Sequence, residues 1–220
     1  MTVSVPDQRR PGKPHPPGRR QGPSPLTGEC LRPLTRRQIE DRVGELGDLY
    51  ERISGRAPGA WSRARSTFLR RLALDARRPG FALVIAETVV PSVTLAPGTT
   101  VVTGCAYGFP VWGDDPWWRG LDGYLPESLL RIAASGQLFA ISELLVENRV
   151  RTHDQARDWN LARRLQNRLL TDRAAARGVM LVDRGDVRTL DALQAWGWRY
   201  IAADARGTLQ CAPCRVLTLR

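Results

Sequence analysis

The chain has 220 residues, room for one domain plus an appendage, and a hydrophobic fraction of 42% suits a globular core that needs no staples. Its formal net charge is +11 and every basic residue except Lys13 is arginine; arginine favours phosphate partners, but a GC-rich genome would also supply it, so only local arrangement can argue function. No apolar run approaches the length of a membrane span and no hydrophobic signal core leads the chain, which excludes a helical membrane protein and leads to the expectation of a soluble, cytoplasmic one.

Residues 1–28 are dominated by proline, glycine and arginine. Nothing there can build a core, so a disordered basic tail is expected, followed by one domain over 29–220. The tail holds Arg9, Arg10, Lys13, Arg19 and Arg20 against Asp7. A solvated linker is the preferred reading over contact with nucleic acid, whose affinity would fall steeply with salt.

From Cys30 the texture changes. CLRPLT reads as a short strand, with Thr35 capping a helix over about 36–53 whose apolar positions Ile39, Val43, Leu46 and Leu49 fall three or four apart. A second helix over about 60–77 places Trp61, Phe68 and Leu72 on one side. FALVIAE (81–87) and VVTGCAYGFPV (101–111) are strand-like, joined by a long hairpin loop. After an irregular stretch and a short helix, LFAISELLV (138–146) is a strand, and 155 to about 177 is helical. VMLV (179–182) is a strand. Asp186 then caps a helix lined by Val187, Leu190, Leu193 and Trp196, with Gly197 as its left-handed stop. WRYIAA and CRVLTLR close the chain as strands. This order predicts an α/β fold with a mixed, largely antiparallel central sheet flanked by helices.

Cys30, Cys105, Cys211 and Cys214 do not form a disulfide framework. Cys211 and Cys214 have zinc-knuckle spacing but no second pair, so no metal is expected.

The stretch ARDWNLARRL (156–165) opens a helix after a strand and an irregular turn. The first turn of a helix has N–H groups without intrahelical partners and a partial positive charge, and arginines add to it, a recipe for holding phosphate. Ala162 leaves room for close approach, and Asn160 tolerates a left-handed turn. On LFAISELLV, period two puts Glu143 on a face with Phe139, Ile141 and Leu145. A carboxylate there is costly unless it has a task or a structural partner, and both readings stand.

ISELLV, the arginine-led turn, LARRLQNRLL, VMLV and DVRTLDALQAWGWRYI together resemble the GNAT superfamily of acetyl-CoA-dependent N-acetyltransferases, over about Cys30 to Arg220. Arg157-x-x-Asn160-x-Ala162 matches the family's acetyl-CoA loop at its first and last positions, with asparagine in place of glycine and a longer lead from Val146. The resemblance implies acetyl-CoA as co-substrate. Leu145 and Val146 would meet the pantetheine arm, with Arg157, Asp158, Trp159, Asn160, Leu161, Ala162 and Arg163 around the diphosphate. It further implies Glu143 as the base that accepts the acceptor's proton, and a small-molecule or peptide amine as acceptor. Asp114, Asp115, Trp117 and Trp118 border the region that would bind that amine by ion pairing and cation–π contact; the alternative is that the tryptophans fill core and the aspartates cap turns. Where the family carries a tyrosine acid this chain has Leu193. A GNAT-fold binding or regulatory module without catalysis is therefore the competing expectation.

Overall fold

The computed structural model describes residues 29–54, 61–89, 100–118, 125–146, 161–171, 173, 177–201 and 214–219. The expected tail, the 90–99 connection, Arg157 to Asn160 and Cys211 lie outside these.

The strands are β1 (Cys30–Leu34), β2 (Ala82–Val89), β3 (Thr100–Pro110), β4 (Leu138–Val146), β5 (Arg177–Asp183), β6 (Arg199–Tyr200) and β7 (Cys214–Leu219). They form one seven-stranded sheet in the order β1-β2-β3-β4-β5-β7-β6. Every neighbouring pair is antiparallel except β4 and β5, so the sheet is mixed and largely antiparallel, as the element order predicts. Pro33 lies on β1, an edge strand, where a missing N–H can face away from the ladder.

Among the described residues six α-helices flank the sheet: α1 (Arg36–Asp41), α2 (Val43–Ser54), α3 (Trp61–Asp75), α4 (Glu127–Ala134), α5 (Leu161–Thr171) and α6 (Val187–Ala195). Thr35 caps α1 through a capping box with Gln38. The single helix expected over 36–53 is two, broken at Arg42, whose φ of −112° leaves the helical region. The break turns Val43 out of the stripe, to 41% exposure, while Ile39, Leu46 and Leu49 stay buried. It also aims the Arg42 guanidinium at Glu45 and at Glu87 of β2. A one-residue break preserves the three-to-four spacing, so periodicity cannot register it.

The helix expected over 155–177 ends at Thr171 within the described residues, and Arg177 already belongs to β5. Its stripe of Leu161, Leu165 and Leu169 is buried, each side chain contributing about 1.5–3 kcal/mol. Gly104 on β3 makes this docking close: a Cβ there would lie 3.0 Å from Leu165 Cδ1. Asp186 caps α6 by accepting from the Thr189 N–H, and Gly197 ends it with φ +100°. Val187, expected on the buried side, is 60% exposed, so the stripe starts at Leu190.

The sheet has two covered faces. Alternation along β2 sends Val84 and Ala86 to the face under α5 and α6, and Leu83 and Ile85 to the face under α1, α2 and α3. No described helix is long and apolar enough to cross a membrane.

Candidate active site

The sheet opens at its centre. β4 and β5 pair only through Leu138–Ala140 against Arg177–Val179. Beyond that point β4 continues to Val146 and β5 to Asp183 without pairing, and a cavity of about 330 Å³ lies between them. Glu143–Val146 form one wall, Met180–Asp183 the other, and Leu193 of α6 with Trp196 just beyond its end the apolar side.

A β-bulge shapes the β4 wall. Tyr107 of β3 pairs with Glu143, but Gly108 pairs with Ile141, leaving Ser142 as the extra residue. A bulge bends its strand and reverses which side chains face which way. Glu143 is thereby moved off the face of Phe139 and Ile141, where strict alternation puts it. Phe139 and Ile141 pack under α5 and α6, whereas Leu145 packs with Cys105 and Tyr107 under α2 and α3. Glu143, cross-strand partner of Tyr107, shares the second face.

Its surroundings there are specific. Arg71 Nη1 of α3 lies 3.9 Å from Glu143 Oε2. Arg71 Nη2 donates to Ser142 Oγ at 3.2 Å, and Ser142 Oγ donates to Asp75 Oδ2 at 3.1 Å. Burial pushes the Asp75 carboxyl above its usual value, against the opposing pull of the Ser142 hydrogen bond and of Arg71 and Arg78. Burial, and then the Glu143 charge, likewise push the Tyr107 phenol and the Cys105 thiol well above their usual values, so both stay neutral. The Tyr107 hydroxyl is fully buried with no hydrogen-bond partner among the described residues. Sequence reading passed over Arg71, Asp75 and Tyr107. The first two sit one turn apart on a helix read only for its apolar side, and no local signal marks them as neighbours of β4.

Leu145, Val146 and Ala162 all line the cavity. Leu161 is fully buried against the sheet, leaving its side chain no access to a ligand. Arg163 stands in the same first described turn of α5. The next arginine, Arg164, is held at 2.8 Å by Glu29, whose side chain is buried.

Asp114, Asp115, Trp117 and Trp118 do not line the cavity. Trp118 is 2% exposed in a cluster with Phe109, Val111 and Leu138, at the paired end of β4, and its Nε1–H donates to the Trp112 carbonyl at 2.8 Å. Asp115 accepts from the Trp117 N–H at 2.8 Å and is ion-paired to Arg78. Trp117 stands edge-on to Phe109, and Asp114 is exposed in the adjoining turn. Asp115 and Trp118 are thus engaged within the fold, as one of the two readings of this group has it, while Asp114 is exposed. Leu193 is fully buried and leaves the cavity apolar at the place of the expected family's tyrosine. Among the described residues no three His, Cys, Asp or Glu side chains converge to hold a metal ion.

A mixed sheet parted between its one parallel pair, with a helix returning from the end of β4 to the start of β5, is the fold of the GNAT superfamily. The match to the PaiA N-acetyltransferase of Thermoplasma acidophilum, solved with coenzyme A, has a TM-score of 0.51 at 9% identity, over 88% of this chain and 99% of that one. A protein of Desulfovibrio desulfuricans assigned to the GNAT family of acetyltransferases matches with a TM-score of 0.50 at 13% identity, over 88% and 99%. The aminoglycoside acetyltransferase AAC(6')-Ib, solved with coenzyme A and kanamycin, matches with 0.50 at 12% identity, over 87% and 94%. No protein-family model matches the sequence, and no curated protein does either. At these identities the likeness is one of fold.

Proposed function

We propose that the chain is an N-acetyltransferase that moves an acetyl group from acetyl-CoA to an amine by direct attack. The observation that carries this reading is the parting of β4 from β5: the edge of β4 from Ile141 to Val146 faces an open cleft that also bears Glu143. A strand edge in a cleft offers backbone N–H and C=O groups to an amide-containing chain such as pantetheine. The arm of acetyl-CoA runs along Leu145 and Val146, with a β4 N–H polarising the thioester carbonyl and stabilising the oxyanion formed by attack. The first described turn of α5, with Ala162 and Arg163, faces the diphosphate, joined by Arg157, Asp158, Trp159 and Asn160, which precede it in the sequence.

Glu143 takes the proton. A lysine-like amine has a pKa of about 10.4 and arrives protonated, so a carboxylate must accept that proton before the nitrogen can attack. The nitrogen then bonds to the carbonyl carbon, the C–S bond breaks, the thiolate leaves with the electron pair, and the second proton that the new amide nitrogen sheds passes to water. With a pKa near the cysteine value of about 8.5 the thiolate needs no dedicated acid, which fits the apolar Leu193 wall. The acceptor is a small-molecule or peptide amine.

Thiol release from acetyl-CoA across a panel of amines tests the reading. Glu143→Gln is expected to lower kcat/KM by about 10²–10⁴-fold, with coenzyme A binding retained; an unchanged rate removes Glu143 from the chemistry. The buried Leu193 favours one other reading, a GNAT-fold binding module without catalysis. Coenzyme A at 100 times its Kd should stabilise the fold by about 2.7 kcal/mol under either reading. Thiol release with no amine of the panel, despite that stabilisation, selects the module.

A further inference from the structure

Beyond the base itself, the geometry points to Arg71 as a positioning residue that holds Glu143 charged and in place by clamping the Ser142 bulge, an inference that rests on Glu143 being the base. The bulged residue has lost its place in the β3–β4 ladder, and a bulge without anchors is free to slip back into register. α3 supplies the anchors. Arg71 Nη2 donates to Ser142 Oγ at 3.2 Å and reaches the Ser142 carbonyl at 3.5 Å, while Asp75 accepts from the same hydroxyl at 3.1 Å. The other end of the guanidinium, Nη1, stands 3.9 Å from Glu143 Oε2, and Nε stands 4.0 Å from Asp75. One planar fork thus touches the bulge, its anchor and the base together, which the point charge of a lysine cannot do.

The charge matters as much as the grip. An opposite charge at this distance favours the ionised carboxylate, the form that accepts a proton. Other titratable groups among the described residues also stand around Glu143. Tyr107 and Cys105 on β3 are buried neutral groups, and Asp75 is an acid whose pKa burial raises. On α2, Arg52 donates to the Val102 carbonyl and Tyr50 stacks on Phe68. Asp183, Asp186 and Arg188 belong to the opposite side of the cavity. The Arg71 side chain is 54% exposed, so its replacement leaves the core intact.

The test reads the Glu143 carboxylate directly, by carbon NMR titration with the signal assigned through its loss in Glu143→Gln. The same proteins are assayed for the pH dependence of kcat/KM in thiol release, and coenzyme A stabilisation monitors the fold. Arg71→Gln is expected to move the Glu143 midpoint upward by about one pH unit, carrying the rising limb of kcat/KM with it while stabilisation by coenzyme A is unchanged. Arg71→Lys should recover most of the charge effect, and Ser142→Ala should move the midpoint the same way by less. Midpoints unchanged in both Arg71→Gln and Ser142→Ala overturn the inference. A midpoint that moves while the rate limb stays put upholds the Arg71 contact and removes Glu143 as the base.

Discussion

One methyl group, added at two different glycines, is expected to have opposite effects. At Gly108, opposite the bulge, a Cβ would lie 2.0 Å from the Ala140 carbonyl oxygen, 2.7 Å from Phe139 Cε1 and 3.0 Å from Ala140 C. Two of the three obstacles are backbone, so β3 and β4 must separate by about 1 Å to restore ordinary contact. Overpacking of this kind costs about 1–3 kcal/mol, and each ladder hydrogen bond broken adds about 1 kcal/mol. Gly108 has no positive φ, so alanine also stiffens the unfolded chain, which returns about 0.4–1 kcal/mol. Gly108→Ala should therefore destabilise by about 3 kcal/mol, a large part of the 5–15 kcal/mol typical of a domain. Gly44, in the first turn of α2, has nothing within 4 Å of its added Cβ. There Gly44→Ala should stabilise by about 0.5 kcal/mol through helix propensity. Urea unfolding of both variants beside the parent gives the two values. A Gly108→Ala protein within about 0.5 kcal/mol of the parent would refute the close strand approach on which the bulge depends.

Tyr107→Phe removes a buried hydroxyl that finds no partner among the described residues, and should stabilise by about 1 kcal/mol in the same assay; a loss of stability would mean that the hydroxyl is bonded. Asp75 binds its proton more tightly folded than unfolded, because burial outweighs its hydrogen bond and ion pairs. Its charge therefore costs stability above the raised folded pKa, and that cost fades as pH falls towards the ordinary value of 3.8. Asp75→Asn, which keeps an acceptor for Ser142, should have a higher Tm than the parent at neutral pH and lose the advantage in acid. An advantage that grows in acid would reverse the assignment. The Trp198 Nε1–H donates to the buried Gln166 Oε1 at 2.8 Å. Trp198→Phe should cost about 2–4 kcal/mol by opening space and stranding that oxygen. Part of the loss should be absent in a Gln166→Leu background; a strictly additive double mutant would show that the bond contributes nothing.

Much of the fold was legible because its signals are local. LFAISELLV is β4 residue for residue, since a run of apolar and β-branched side chains bounded by glycine and polar residues suits a central strand. Thr35 with Gln38, Asp186 with Thr189, and Gly197 mark helix ends through hydrogen bonds and dihedral angles that span only a few residues. The break at Arg42 escaped because it keeps the helical spacing. The burial of Trp118 and Asp115 stood open as one of two readings, since an aromatic beside an aspartate serves a core or a ligand equally well until its neighbours are known.

Composition and periodicity by themselves determined which segments become strand or helix, how those helices are capped, and that a carboxylate stands on the central strand. Only the tertiary structure decided which way that carboxylate points and what surrounds it. Strict alternation places Glu143 beside Phe139 and Ile141, and the register against β3 inserts Ser142 and turns it to the other face. The group that grips the bulge, Arg71, is 71 residues away in the chain. Local propensity acts over one or two turns, whereas a bulge and its anchor exist only once separate strands and helices have packed together.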